Sequence, residues 1–327
     1  QDLVVLDVVG ELAADAAVLI SSSKFASIDG QDFANPTMSL EFVKQSGRTT
    51  GSLTMSASRQ SRADAAVNAR VESWIYNAGL GFRYPISGTY TLSGNLGYNN
   101  IVYSDYTAAD GTTVRDAYAD LASYTAGIDL FHILTSDRDI LGGYRYRHGA
   151  TSKSTSYTDH AFNAGLSGKI IRGVNGNLRV GYQTRIPGGR VDTESFESWT
   201  AGGSATYAFN KKTNVTANIG KDFSTTAADT FVDTLTASLD FQYAYSSKWS
   251  ATSTLGYGDS RFLGAAGRLP TGAERHDNYV SFLASLNYSM SEHLKVSVSY
   301  TWFKNWSNSS FAVFTRDGYS LHVSTRW

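Results

Sequence analysis

Hydrophobic and polar residues alternate along most of this chain. Between positions 249 and 257, one set of alternate residues is Trp249, Ala251, Ser253, Leu255 and Tyr257, and the other is Ser250, Thr252, Thr254 and Gly256. The same alternation covers 235–243 and 294–302. A period of two over eight or more residues is typical of strands and not of helices, so the pattern predicts an all-β fold.

Related segments recur at intervals of 36 to 48 residues. Each is an alternating stretch centred on an alanine, as in "YNAGLGFRY", "FNAGLSGKI" and "FLASLNYSM", and the centres are Ala78, Ala126, Ala164, Ala201, Ala237 and Ala284. A second series of segments that end in tyrosine lies between them. One repeat therefore predicts one hairpin of two long strands, whereas a propeller blade of similar period needs four shorter strands.

The polar links between these segments are alternately short and long. Counting the segments predicts 16 strands, at 4–23, 37–46, 51–60, 69–85, 89–105, 115–133, 139–148, 156–171, 176–186, 193–209, 213–223, 229–246, 248–258, 277–290, 293–304 and 310–327. Short turns at one rim, longer loops at the other and an even strand number are typical of outer-membrane barrels. We therefore expect residues 1–327 to form a single domain, a transmembrane antiparallel β-barrel with short periplasmic turns and longer extracellular loops.

Composition supports this interpretation and excludes other classes. Charged residues make up 17% of the chain, against roughly 25% in soluble domains. No stretch of 18 uncharged apolar residues exists, so a spanning helix is not expected. A net charge of −1 gives no basic field for nucleic acid, and the absence of cysteine excludes disulfides and thiolate metal sites. The histidines show no metal-ligand spacing, so we expect no metal and no cofactor.

Aromatic residues on the apolar face should gather at two depths if that face contacts lipid. Candidates near the short turns are Tyr84, Tyr90, Tyr207, Tyr243, Tyr245, Trp249, Tyr288 and Trp327. Candidates near the long loops are Trp74, Tyr98, Tyr146, Phe162, Trp199, Tyr257, Tyr300 and Trp302. The alternative, a soluble sandwich core, would not need so many long strands. We therefore expect the chain in the bacterial outer membrane, in contact with lipid and lipopolysaccharide.

The alternate residues on the opposite face should line the lumen. The charged residues that we assign to this pore lining are Arg83, Asp129, Arg145, Arg147, Lys169, Arg179, Arg185, Asp222, Asp240 and Lys295. The five basic residues between 145 and 185 fall on three consecutive predicted strands, and as a basic stripe they would favour anions. The alternative is an ordinary polar lining whose charges are paired across strands or screened by water.

The first predicted strand carries an acidic series, Asp7, Glu11 and Asp15, opposite a series of apolar residues. Closing a barrel pairs the first strand with the last, and this pairing would place Asp7 near Arg326 and Glu11 near His322. The alternative is that a four-residue spacing also suits a helix, so that residues within 1–23 would form a plug in the lumen. A plug would leave an odd number of strands, which favours the strand.

The chain ends in "YSLHVSTRW", an alternating strand with an aromatic residue, Trp327, at the last position. This end resembles the insertion signal of bacterial outer-membrane proteins, and the resemblance implies recognition of the C-terminal strand by the barrel-assembly machinery. With its Ala-Gly or Ala-Ser strand centres and "GY" strand ends, the whole chain is similar to the β-barrel porin 2 type. That resemblance implies a porin-like function. The link at 106–115 is too short for the constriction loop of trimeric porins.

The sequence thus leads us to expect a porin-like channel for passive diffusion of small hydrophilic solutes, with a mild preference for anions. One alternative is a component of a polysaccharide export or secretion assembly with periplasmic partners. Another is an occluded structural barrel, with the loop at 258–277 folded inward. Catalysis is not expected: in Asp159-His160 and His276-Asp277 the adjacent side chains point to opposite faces of a strand, so neither is an acid–base pair.

Overall fold

The computed structural model describes residues 4–8, 12–23, 33–45, 47–64, 69–107, 113–114, 118–188, 194–291 and 294–325. In these ranges the regular structure is β-strand, with short 3-10 turns at Ala265–Gly267 and Ser310–Ala312. The strands are β1 Val4–Val8, β2 Leu12–Ser23, β3 Phe33–Lys44, β4 Thr50–Asp64, β5 Ala69–Pro85, β6 Tyr90–Tyr103, β7 Tyr106–Thr107, β8 Thr113–Val114, β9 Leu121–Thr135, β10 Arg138–Thr151, β11 Ser156–Ile171, β12 Val174–Gly188, β13 Phe196–Asn210, β14 Thr213–Thr225, β15 Phe231–Ala244, β16 Trp249–Phe262, β17 His276–Ser289, β18 Leu294–Ser307 and β19 Phe314–Thr325. The predicted all-β class is confirmed.

Seventeen of these strands form one sheet, and β7 with β8 forms a separate two-stranded ribbon. Strands that follow one another in the sheet pair antiparallel, as β9 with β10 and β10 with β11. After the ribbon of β7 and β8 the chain returns to the sheet, where β9 pairs antiparallel with β6. Strands β5 and β11 have the predicted bounds, because the alternating pattern stops sharply at both of their ends.

The first predicted strand is wrong as a single element. Residues 4–8 and 12–23 are two antiparallel strands, β1 and β2, with Val8 opposite Leu12 and Asp7 opposite Ala13. The chain therefore reverses direction between β1 and β2. The helical plug does not fit either, because Leu12–Ser23 is a strand paired with β3. The predicted count of 16 strands is not confirmed.

The links at the two ends of the sheet differ in length, as predicted. At one end β9 is joined to β10 through 136–137, and β11 to β12 through 172–173. Gly173 adopts a φ of 81° there, a conformation that a glycine takes at little cost. At the other end β16 is joined to β17 through 263–275. Below, the two ends are called the short-link end and the long-link end.

The two faces of the sheet differ sharply in chemistry. One face is apolar and exposed, and it carries large side chains from many strands, among them Leu80, Leu96, Ile128, Leu130, Phe162, Val180, Leu239, Leu255, Leu286, Val298 and Leu321. The opposite face carries Asn, Thr, Ser, Asp and Arg at the alternate positions. Below, these are called the apolar face and the polar face. No described helix is long and apolar enough to cross a membrane.

Candidate functional site

The polar face of β10, β11 and β12 carries a buried charge cluster near the long-link end. Asp159 lies directly opposite Arg147 on β10 and Arg185 on β12. Its carboxylate accepts hydrogen bonds from Arg147 Nε at 2.7 Å and from Arg185 Nε and Nη2 at 2.7 and 2.9 Å. Asp159 and Arg185 are each 0% exposed. Hydrogen-bonded pairing of this kind is what allows such charges to be buried.

A segment from farther along the chain completes this cluster. Asp222 of β14 accepts a hydrogen bond from Arg145 at 2.8 Å and two from Arg147 at 3.2 Å. Four strand-to-strand steps separate β10 from β14, and at about 4.8 Å a step they span about 19 Å along a sheet. An arginine and an aspartate together do not reach so far. The sheet therefore bends toward its polar face here, and the end of β14 lies over that face.

The reason is that β14 leaves β13 near the long-link end. The pairing of β13 with β14 stops at Ala201 and Lys221, whereas β14 stays paired with β15 up to Thr225 and Phe231. In residues 222–234, called the inner hairpin below, β14 is thus paired with β15 and β15 with β16, but the backbone pairing with β13 has ended. These residues fold onto the polar face of β10 to β12. Beyond Lys221, the end of β14 and the start of β15 thus no longer follow the curvature of the sheet.

Hydrogen bonds fix the inner hairpin against the polar face. Arg147 Nη2 donates to the carbonyl of Phe223 at 2.8 Å, and Arg185 Nη1 donates to that of Ser224 at 2.8 Å. Farther out, the hydroxyl of Thr155 donates to Asp229 at 2.6 Å. The amide of Ala119 donates to the carbonyl of Ala227 at 2.9 Å. The hairpin is therefore held by four residues, and two of them, Thr155 and Ala119, bind its tip.

An aromatic core lies under the inner hairpin. Phe223 and Phe231 of the hairpin pack with Tyr157 and Leu263, and all four are buried. Leu121 and Phe196 pack against the edge of this group. The Arg185 guanidinium lies 3.9 Å from the ring centre of Tyr157 and 5.0 Å from that of Phe231, a cation–π arrangement. Side chains of the hairpin are thus buried in a packed core with residues of the sheet and the following loop.

A second ion pair closes the base of the hairpin. Lys221 and Asp233 form a buried salt bridge beside the point where β14 leaves β13. The hydroxyl of Ser198 on β13 donates to the same carboxylate at 2.9 Å. This hydrogen bond fastens the hairpin to β13 where the backbone pairing between the two has stopped.

The loop after β16 is fixed at both ends. The amide of Leu263 donates to the carbonyl of Phe231 at 2.8 Å. At the other end buried Arg275 pairs with Asp277 at 2.6 Å, and its guanidinium lies 4.2 Å from the ring centre of Phe262. Most residues between these anchors are exposed. The loop is therefore a surface loop that braces the inner hairpin from outside, and it does not itself fill the space over the polar face.

A cavity of about 260 Å³ lies on the polar face, beside the charge cluster that holds the inner hairpin. Its polar lining residues include Asn95, Asp129, Arg145, Asn163, Arg179 and Thr200. Arg179 donates two hydrogen bonds of 2.9 Å to Asp129. Arg145 both lines the cavity and binds Asp222, so this arginine connects the wall of the cavity to the inner hairpin.

The structure brings six predicted pore-lining residues together and separates four. Asp129, Arg145, Arg147, Arg179, Arg185 and Asp222 lie around the cavity and the hairpin. Lys169 lies instead at the short-link end, 3.2 Å from Asp137. Asp240 accepts a hydrogen bond from Thr254 at 2.6 Å, and Arg83 lies 3.8 Å from Asp139. Lys295 is exposed on β18, opposite Ser289 and Ser324.

The predicted basic stripe is largely neutralised. Each of its five members lies within 3.2 Å of an aspartate oxygen. The strand register explains this, because it places Asp159 between Arg147 and Arg185. The alternative interpretation of the lining, charges paired across strands, describes these residues better than an unpaired stripe.

One charged turn at the short-link end has a perturbed carboxyl group. The hydroxyl of Thr135 donates to Asp137 at 2.8 Å, and Lys169 lies 3.2 Å from the same side chain. These two hydrogen bonds, that from Thr135 first, lower the pKa of Asp137 below its ordinary value. The carboxyl group is exposed, so this effect is local.

The predicted barrel closure stays a prediction. Glu11, Arg326 and the proposed insertion signal Trp327 lie outside the described residues. Asp7 is on β1, which pairs with β2, and His322 is on β19, opposite Ser297 of β18.

The two histidine–aspartate dipeptides behave as their alternation predicts. Asp159 is buried on the polar face, whereas His160 accepts or donates a hydrogen bond of 2.7 Å with Tyr144 on the apolar face. His276 instead lies 2.7 Å from Asp259, and Asp277 is bound to Arg275. Among the described residues no group of three or more His, Asp or Glu side chains is arranged to hold a metal ion.

Several residues of the site were missed in the sequence. Asp159 was considered only as a partner of His160, and Tyr157, Gln183, Phe223 and Asp233 were not considered. The hairpin register would have revealed Asp159, since pairing the predicted strands around 152–155 sets it opposite Arg147. Nothing in the alternation identifies Phe223 or Asp233, because both occupy positions that would face outward if β14 and β15 stayed in the sheet.

Comparison with known proteins identifies the fold and not a family. No protein-family model matches the chain, and no curated protein matches it. The resemblance to the β-barrel porin 2 type is therefore not supported.

Solved structures do match. They include the ferric citrate transporter FecA, at 12% identity and a TM-score of 0.53, over 91% of this chain and 56% of that one. The FrpB iron transporter from Neisseria meningitidis matches at 10% identity and a TM-score of 0.55, over 93% of this chain and 60% of that one. The ferric-catecholate import receptor Fiu from E. coli K12 matches at 11% identity and a TM-score of 0.51, over 98% of this chain and 71% of that one. The chain spans less than two thirds of the length of the first two of these proteins. At such identities the likeness shows the fold alone, the antiparallel sheet of outer-membrane transport barrels.

Proposed function

We propose that the protein is an outer-membrane β-barrel that lets small hydrophilic solutes pass, with the polar face as its lumen and the inner hairpin narrowing its outer mouth. The observation that carries the proposal is the division of one sheet into an exposed apolar face and a polar face. Only a lipid environment makes such an apolar surface favourable over this many strands, since soluble proteins rarely expose large apolar patches.

The length of the strands supports the same conclusion. Strands of 12 to 17 residues, as β3 and β5, exceed the roughly 9–11 residues that a tilted strand needs to cross a bilayer. The excess extends the long-link end beyond the membrane, where the inner hairpin and the braced loop lie. We assign the long-link end to the exterior and the short-link end to the periplasm.

The mechanism of passage follows from the lining. Asn, Ser and Thr on the polar face replace part of a solute's hydration, and the width left beside the inner hairpin sets the size limit. Because the arginines of the lining are paired with aspartates, their net field is small, and we expect only weak preference between anions and cations. The neighbouring folds belong to iron transporters, but an identity of 9–12% carries no information on the solute.

An occluded barrel is a second candidate, and the inner hairpin is the observation that favours it. If the hairpin and the side chains around it fill the mouth completely, the protein would conduct only when a partner displaces the hairpin. Polysaccharide export has weaker support, because the basic wall that would attract an acidic polymer is paired with aspartates.

Single-channel recording in a planar bilayer tests the proposal. We expect a steady conductance. Under a salt gradient we expect a reversal potential close to zero, because the pore should distinguish only weakly between anions and cations. A strong anion preference would contradict the pairing of the lining arginines. Insertion without any conductance, with insertion shown by protection from protease, would contradict the open pore and support the occluded barrel.

A further inference from the structure

Buried polar atoms that the protein does not satisfy lie at the cavity on the polar face and next to it. Arg145 Nε, Asn163 Oδ1 and Gln183 Nε2 are buried without a hydrogen-bond partner among the described residues. Arg145 and Asn163 line the cavity. Gln183 is fully buried and accepts a weak hydrogen bond of 3.4 Å from Arg145. Buried polar groups normally find partners, and two of these three atoms belong to side chains that line the cavity, which points to a polar occupant.

The charge around the cavity decides the class of that occupant. Arg145 is held by Asp222 at 2.8 Å, and Arg179 by Asp129 at 2.9 Å. Each cationic group is therefore accompanied by a carboxylate, and the four side chains sum to zero charge. A bound anion would lie beside these carboxylates, whereas a neutral molecule meets no such repulsion.

The unsatisfied atoms are mixed in kind. Arg145 Nε and Gln183 Nε2 are donors, and Asn163 Oδ1 is an acceptor. The rest of the polar lining adds a carboxamide from Asn95 and a hydroxyl from Thr200. Hydroxyl groups suit this set, because each donates one hydrogen bond and accepts others. The volume of about 260 Å³ would hold about nine water molecules at ~30 Å³ each, the space of a six-carbon polyol.

We propose that this cavity is a binding subsite for a neutral, monosaccharide-sized polyol on the path through the lumen. The inference rests on the proposed transport function, since it names the class of solute that the same lumen would take. Arg145 would donate from Nε to a solute hydroxyl while its Nη2 stays bound to Asp222 of the inner hairpin. Occupation of the subsite would thus satisfy Arg145 Nε without breaking the ion pairs that hold the hairpin.

Two glycines allow a matched test. Gly202 lines the cavity, and a Cβ atom added there would have no heavy atom within 4 Å, so Gly202→Leu would project into free space in the cavity. Gly142 also has no atom within 4 Å of an added Cβ, but it is exposed on the apolar face, opposite Leu130 and Ala164. Gly142→Leu is therefore a control for the loss of a strand glycine.

The measurement is the reduction of single-channel current by added sorbitol, with gluconate as the charged counterpart on the same six-carbon chain. We expect a saturable reduction of the current by sorbitol in the wild type and in Gly142→Leu. In Gly202→Leu the sorbitol concentration that gives half of the maximal reduction should rise at least about tenfold. Asn163→Leu, which keeps the branched shape of the side chain and removes an unsatisfied acceptor, should weaken sorbitol binding in the same direction.

The outcomes separate the subsite from the pore. An open channel whose current sorbitol lowers only in proportion to viscosity would overturn the subsite and leave the pore standing. Saturable reduction by gluconate at lower concentration than by sorbitol would overturn the neutral class. If the wild type inserts but does not conduct, the proposed open pore is contradicted. Calorimetric titration of the folded protein in detergent with sorbitol then tests the subsite by itself. Binding lost in Gly202→Leu would support the subsite, and no binding would overturn it.

Discussion

Asp159 is the residue on which the charge cluster depends. It binds Arg147 and Arg185 at once, and both arginines in turn bind carbonyls of the inner hairpin. Removing one partner of a buried ion pair is costly because the other charge stays buried without compensation. A change at this carboxylate should therefore affect both the cluster and the hairpin that it supports.

We expect Asp159→Asn to lower the free energy of unfolding by about 3–5 kcal/mol, because two buried guanidinium groups lose their shared carboxylate. Urea unfolding of the protein refolded in detergent or lipid vesicles measures this. The matched control is Asp137→Asn, which removes an exposed ion pair with Lys169 and should cost much less. An equal effect of both changes would contradict the distinction between the buried and the exposed pair.

The Asp137 pair also carries a small pH dependence with a definite sign. Because its folded-state pKa is lowered, its contribution is present above the ordinary pKa of an aspartate and is lost as the pH falls through the lowered value. Comparing the acid limb of unfolding in wild type and Asp137→Asn tests this. An acid limb that Asp137→Asn leaves unchanged would contradict the assignment.

The inner hairpin is the element that distinguishes this sheet from a plain barrel wall. It exists because β14 stops pairing with β13 at Lys221 while its pairing with β15 continues. Ala227 near its tip is buried, and the next residue, Ala228, is exposed. The chain has no cysteine, so single substitutions at these sites give unambiguous labelling.

We expect Ala227→Cys to react with a water-soluble maleimide much more slowly than Ala228→Cys, since only the first side chain is covered by the docked hairpin. Adding Asp159→Asn should speed labelling at 227 and leave that at 228 nearly unchanged. Mass spectrometry of timed aliquots measures both rates. Equal rates at the two positions in the parent protein would mean that the hairpin is not docked.

The sequence predicted the strands better than it predicted this element. Alternation located β5 and β11 because the side chains of a strand in a sheet divide strictly between two faces. It also placed Arg145 and Arg185 on the polar face. It could not place Phe223 or Asp233, since the face that a residue of the inner hairpin presents depends on where β14 leaves β13. That departure is a tertiary property, set by the packing of the aromatic core.

At the scale of the whole molecule, the apolar face is what commits the sheet to a membrane. Leu239 on β15 is 50% exposed, and its neighbours across the strands are Ala217 and Leu255. The adjacent residue Ser238 lies on the polar face, where it accepts a hydrogen bond from Asn218 at 3.0 Å. Two neighbouring positions thus face different solvents in this account.

We expect Leu239→Arg to reduce the free energy of folding into lipid vesicles by about 2–4 kcal/mol, the cost of an arginine facing lipid near the middle of a bilayer. Ser238→Arg should cost much less, because its side chain enters the water-filled lumen near Asp240. Urea titration in vesicles measures both variants. A larger cost at 238 than at 239 would contradict the assignment of the two faces.

The central claim is that a polar lumen is narrowed by the inner hairpin. The most direct test is the single-channel conductance of a variant in which residues 222–234 are replaced by Asn-Gly, a two-residue link that suits the pair Lys221 and Leu235. The account predicts a stable pore with conductance well above that of the wild type. A folded, inserted variant whose conductance equals or falls below that of the wild type would contradict it.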